Sequence, residues 1–110
     1  EFGIAAAGQK IAALVVVISD VHSLGLAQTQ GLTALTAFYH DRDDASRAWS
    51  KRFFERTGRM PGMIQAGTYS AVLHYLRAVG DAKTTDADAV AAAMKSRPVD
   101  DFFAPGAKIR

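Results

Sequence analysis

Eight consecutive apolar residues, Ile11 to Ile18 (IAALVVVI), constrain this chain more than any other stretch. Rich in Val and Ile and bounded by Gly8-Gln9 on one side and Ser19-Asp20 on the other, the run reads as a strand buried on both faces. Strands of that kind belong to parallel sheets covered by helices. The run is far too short to cross a membrane. At 110 residues the chain is long enough for one domain with its own core, and a second is not expected.

Downstream of the strand the pattern alternates. Val21 to Gln30 reads as a short helix weakened by Gly25, and Gly31 introduces a second strand, LTALTAFY. Asp43 or Asp44 can cap a helix running to about Thr57, with Ala45, Trp49 and Phe53 facing the core. Gly58 is placed to stop that helix. Met63 to Val79 carries an apolar stripe at the helical period, formed by Tyr69, Val72, Leu73, Leu76 and Val79, and Gly80 is expected to end it. His74 falls off the stripe and is expected at the surface. Thr85 or Asp86 caps a last helix through Ala89, Val90, Ala93 and Met94, ending before Pro98. The tail reads as an extended segment, a Pro-Gly turn and the start of a returning strand. Strands alternating with helices place the chain in the α/β class.

Composition removes several functions. The chain has no cysteine, which excludes thiol chemistry, thiolate zinc sites and disulfides. Its net charge of +2 comes from no single block. The densest cations, Arg47, Lys51, Arg52, Arg56 and Arg59, are interrupted by Trp49, Phe53, Phe54 and Glu55. That spacing suits the solvated face of an amphipathic helix better than a nucleic-acid surface. The N-terminus shows no initiator Met, basic segment or cleavage signature, and is expected to lie within a longer protein.

Asp20-Val21-His22, directly after the apolar run, is also how many two-metal phosphoesterases begin their metal site. Such a site needs a second bridging Asp, an Asn-His pair and further His ligands. This chain has three histidines, His22, His40 and His74, and no asparagine, so it cannot assemble that set. No nucleophile elbow, phosphate-binding loop or dinucleotide fingerprint occurs either. The remaining readings of SDVHS are a helix cap with a solvated His22, or a ligand-orienting loop outside the carboxyl end of a strand.

Taken in order, SDVHSLG, QGLTALTAFYHD, a helix with Phe, Gly and Pro at its exit (Phe54 to Arg59, then Pro61), a long helix containing Tyr69-Ser70-Ala71, and the Pro-Gly return resemble one family. That family is the branched-chain amino-acid-binding (leucine/isoleucine/valine) group of periplasmic substrate-binding proteins of ABC transporters, and the resemblance is to the carboxyl-terminal lobe. It implies a Rossmann-like parallel-sheet lobe of the type I periplasmic-binding-protein fold, with residues 1–110 forming most of that lobe. It implies reversible capture of a small amino acid or an organic or aromatic acid, without catalysis, metal or cofactor. The partners implied are that solute, the amino-terminal lobe and a membrane permease, in the periplasm or tethered outside the membrane, with no nucleic acid. The ligand contacts it implies are Ser19, Asp20, Val21 and His22 after the first strand, Ile64 and Gln65 at the start of the long helix, and Tyr39 at the end of the second strand. Asp20 would meet an ammonium, and His22 would suit a carboxylate or phenol. The same fold also serves receptors and transcription regulators as a sensing domain.

Overall fold

The computed structural model describes residue 3 and residues 7–110. Two short parallel strands, β1 (Ala12–Ala13) and β2 (Thr33–Ala34), pair with Ala12 opposite Thr33 and Ala13 opposite Ala34. Helices α1 (Ile18–Leu24) and α2 (Leu26–Thr29) lie between them in sequence, and α3 (Asp44–Thr57), α4 (Met63–Ala82) and α5 (Ala87–Ser96) follow. This is the α/β alternation and parallel pairing expected from the pattern.

The strands are shorter than the apolar runs suggested. The ladder spans two residues on each strand, and the N–H of Thr33 reaches the carbonyl of Ile11 and the N–H of Leu35 that of Ala13 at its ends. The reason at the far end is local. The Asp20 carboxylate accepts the Val17 N–H at 3.0 Å, so the helix starts at Ile18 and takes Ser19 to His22 into its turns. Those residues therefore sit on a helix, not in a loop, and the helix starts before Val21. Double-sided burial fails as well: Leu14 and Val15 are 81% and 71% exposed. Burying both faces of a strand requires helices on either side, and among the described residues β1 has one strand partner.

The three long helices follow their capping chemistry. Asp43, not Asp44, caps α3 by accepting the Ser46 N–H at 2.7 Å. Gly58 closes it in the left-handed region (φ 69°), with its N–H on the Phe54 carbonyl. Gln65 reaches back from the first turn of α4 to accept the Gly62 N–H at 3.0 Å, and Asp86 accepts the Ala89 N–H to start α5. Helix α4 runs through Gly80 to Ala82 and stops at Lys83, itself left-handed (φ 52°). Ala45 is exposed; the inward face of α3 is Ser46, Trp49 and Ser50, with Phe53 half-buried.

The apolar stripe on α4 is not the face that packs. Val72 and Leu76 are 52% and 57% exposed and Tyr69 is also exposed, whereas Ala66, Ser70, His74 and Ala78 are buried. These four lie along one row of the helix, each four residues after the last, and three of them are small. Small side chains let α5 and the C-terminal segment approach closely. His74, expected at the surface, is 4% exposed, with Nε2 2.9 Å from the Met94 carbonyl of α5. The Ser70 hydroxyl donates to Asp101 at 2.7 Å. The same carboxylate accepts the N–H groups of Phe103 and Ala104, which folds the tail back toward α4.

An aromatic core locks α3, α4 and the tail together. Phe38, Trp49 and Ala66 are buried at its centre, with Phe53, Met63, Phe102 and Phe103 around them. The Trp49 indole stacks on Phe102 at 4.4 Å between ring centroids, and Phe38 meets both rings edge-on. At the end of the chain Gly106 (φ 78°) turns the backbone, so that the Val99 N–H reaches the Ala107 carbonyl at 2.7 Å. The expected return is present as this turn, without a strand ladder.

Candidate functional site

The start of α1, the end of α3 and the start of α4 converge on a groove of about 640 Å³. Helix α1 contributes Ser19, His22 and Ser23; α4 contributes Ile64 and Gln65. Phe53, Phe54 and Thr57 come from the last turns of α3, and Gly58, Arg59 and Met60 from the link to α4. Local chemistry explains the convergence. The left-handed turn at Gly58 ends α3, and buried Pro61 and the Gly62–Gln65 cap restart the chain as α4, with Gly62 close to the Val17 side chain at the start of α1. The groove is two-natured. Phe53, Phe54, Met60 and Ile64 give apolar walls, while hydroxyls, an imidazole, an amide and one guanidinium supply polar contacts. Its volume lies within the range of small-molecule sites.

Four of the seven residues singled out from the sequence, Ser19, His22, Ile64 and Gln65, line this one groove. Val21 and Tyr39 instead line a smaller cavity of about 140 Å³ on the other side of Val17, Ile18 and Gly62, which border both. His40 also faces that smaller cavity; its ring lies 4.5 Å from that of Tyr39, and its Nδ1 is buried without a hydrogen-bond partner among the described residues. Asp20 lines neither, since its carboxylate is turned back onto the Val17 N–H of its own helix. Sequence reasoning missed Phe53, Phe54, Met60 and Arg59. The signal for Arg59 was present: it stands between the helix-stopping Gly58 and Pro61, in the link that joins α3 to α4.

Among the described residues no three His, Asp or Glu side chains gather closely enough to hold a metal ion, and no helix is long and apolar enough to cross a membrane. The cations of α3 are partly spent on ion pairs. Arg47 binds Asp41 at 2.9 Å and also Asp44, and these two carboxylates hold its pKa above the usual value.

A groove of this kind, with apolar walls and a few polar groups on an α/β chain, has the make-up of a small-solute site. Comparison with known proteins gives the family. The periplasmic binding protein family profile matches residues 1–110, and the chain belongs to that family. It is similar to a periplasmic binding protein of Burkholderia mallei, with 48% identity and a TM-score of 0.83 over 93% of this chain and 27% of that one. It is also similar to a branched chain amino acid ABC transporter periplasmic ligand-binding protein of Burkholderia xenovorans LB400, at 38% identity and a TM-score of 0.88, over 99% of this chain and 29% of that one. The chain thus spans little more than a quarter of either protein. No curated protein sequence matches it. The fold is that of the periplasmic binding proteins, as the sequence resemblance implied.

Proposed function

We propose that residues 1–110 form most of the carboxyl-terminal lobe of the substrate-binding component of an ABC importer. In this reading the protein captures a small amino acid or an organic or aromatic acid reversibly, in a cleft between two lobes, and delivers it to a membrane permease. It works in the periplasm, or outside the cell tethered to the membrane. The observation that carries the reading is the convergence of Ser19 and His22 from α1 with Ile64 and Gln65 from α4 on one groove. Family membership and the ABC-transporter protein among the similar structures support transport over sensing.

The mechanism follows from the groove's two-sided chemistry. Apolar walls bury the body of the solute, and Ser19, His22 and Gln65 orient its polar end. The amino-terminal lobe would close over the groove. Closure removes water, strengthens the hydrogen bonds inside and holds the lobes together by the solute's differential affinity for the closed state. Nothing in this scheme breaks a bond in the solute. Val21, Tyr39 and Asp20 act in it as supports beside the groove, Asp20 by fixing the helix that presents Ser19 and His22.

Calorimetric titration of the two-lobe protein tests the proposal. Saturable binding of a small amino or organic acid is expected, weakened about tenfold in His22→Ala, the usual scale for a lost hydrogen bond to a charged group. Affinity in His22→Ala equal to that of the parent would remove the groove from the binding site.

A further inference from the structure

Resting on the reading of the groove as the capture site, we infer that its solute is an organic anion with an apolar body, lacking an α-ammonium group. The charge inventory of the lining is one-sided. Among the described residues, no Asp or Glu lines the groove, and Arg59 is the only Lys or Arg that does. Among the described residues Arg59 forms no ion pair, as is true also of Arg52 and Arg56 on α3, whereas Arg42, Arg47, Arg77 and Arg97 are each paired with a carboxylate. Of Arg52, Arg56 and Arg59, Arg59 alone lines the groove. A guanidinium keeps its charge at every physiological pH and matches a carboxylate with two parallel donors.

An ammonium has no comparable partner here. Asp20, the nearest acidic residue in sequence to Ser19 and His22, spends an oxygen on the Val17 N–H and lies outside the lining. The Gln65 Oε1, a neutral acceptor at the rim, already takes the Gly62 N–H at 3.0 Å. A zwitterion would therefore bring a cation toward Arg59 with no carboxylate of this lining to receive it. The other walls suit the rest of an apolar acid: Phe53, Phe54, Met60 and Ile64 offer rings and flexible aliphatic surface for a branched or aromatic body.

Matched pairs of solutes separate the two charge types at constant shape. The two-lobe protein is titrated with 4-methylpentanoate against leucine and with 3-phenylpropanoate against phenylalanine, each pair differing only in the ammonium. The inference expects the acid of at least one pair to bind about tenfold or more tightly than its amino acid. It also expects Arg59→Met to lower the acid's affinity by a similar factor, with Arg59→Lys retaining most of it because the charge remains. Equal or tighter binding of the amino acids overturns the inference and leaves solute capture standing, as does an Arg59→Met variant with undiminished affinity for the acid. Binding of no member of either pair overturns the inference and the capture reading together.

Discussion

Asp43 carries the clearest electrostatic signature in the chain. The Ser46 backbone N–H, followed by the Arg42 guanidinium, stabilises its ionised form and lowers its pKa from 3.8 to about 2. A carboxyl group whose folded-state pKa is depressed adds stability that is complete above the unfolded value, and that is lost as pH falls through the folded one. The contribution of Asp43 should therefore hold from neutral pH down to about 4 and fade toward 2. Asparagine also caps helices but cannot ionise. Acid titrations followed by helical circular dichroism should thus show Asp43→Asn with a flatter response than the parent between those limits; superimposable curves would deny the cap its charge. Such caps were legible in the sequence because they act within one helical turn. His74 was not legible, because its burial depends on α5, which packs over the small residues of its row. Replacing it with Leu strands the Met94 carbonyl, so thermal or denaturant unfolding of His74→Leu should show a loss of about 1–3 kcal/mol. No loss would mean that the imidazole contact is incidental.

Helices α3, α4 and α5 were readable from their starts, and α3 from its stop as well, whereas the two strands were overextended. The difference is physical. A helix satisfies its backbone internally, so Asp43, Gly58 and Asp86 suffice to mark limits of α3 and α5. A strand's extent is set by partners distant in sequence, and Ile11 to Ile18 contains no information about where those partners stop. The apolar stripe on α4 misled for a related reason: periodicity identifies a helix, but the face that packs is chosen by the shape of what it meets. Small Ala66, Ser70 and Ala78 admitted α5 and the tail, and Val72 and Leu76 were left outward. The aromatic core gives the packing test. Trp49 is 5% exposed and touches rings from three other segments through Phe38, Tyr69 and Phe102. Trp49→Ala should cost about 3–5 kcal/mol of unfolding free energy. A value below about 1 kcal/mol would show that the cluster collapses without it. At Gly58, where φ is 69°, an alanine should cost about 1 kcal/mol, since a Cβ disfavours the left-handed turn.

As a whole the molecule is elongated, 59 × 31 × 21 Å, with a radius of gyration of 18.3 Å, whereas a compact domain of this length has about 13 Å. Leu14, Val15, Leu24, Leu26 and Leu35 are all more than half exposed and all belong to the strand–α1–α2 segment. Apolar surface of that kind seeks cover. Sedimentation of the isolated chain should show self-association that Leu14→Asp with Leu35→Asp reduces, and a monomer at all concentrations would show the surface to be tolerated in water. The site, too, is a property of the whole. The sequence resemblance placed seven residues in one site; Ser19, His22, Ile64 and Gln65 line one groove, whereas Asp20, Val21 and Tyr39 do not, and Arg59 escaped because its place in the lining depends on where the α3–α4 link lies relative to α1. The groove, as proposed, holds a solute without changing it. Equilibrium dialysis of the two-lobe protein against 3-phenylpropanoate and leucine, with mass spectrometry of whatever is retained and released, tests it most directly. About one solute should be held per protein and given back with its mass unaltered; a solute returned as a different compound, or none retained, would rule out capture without turnover.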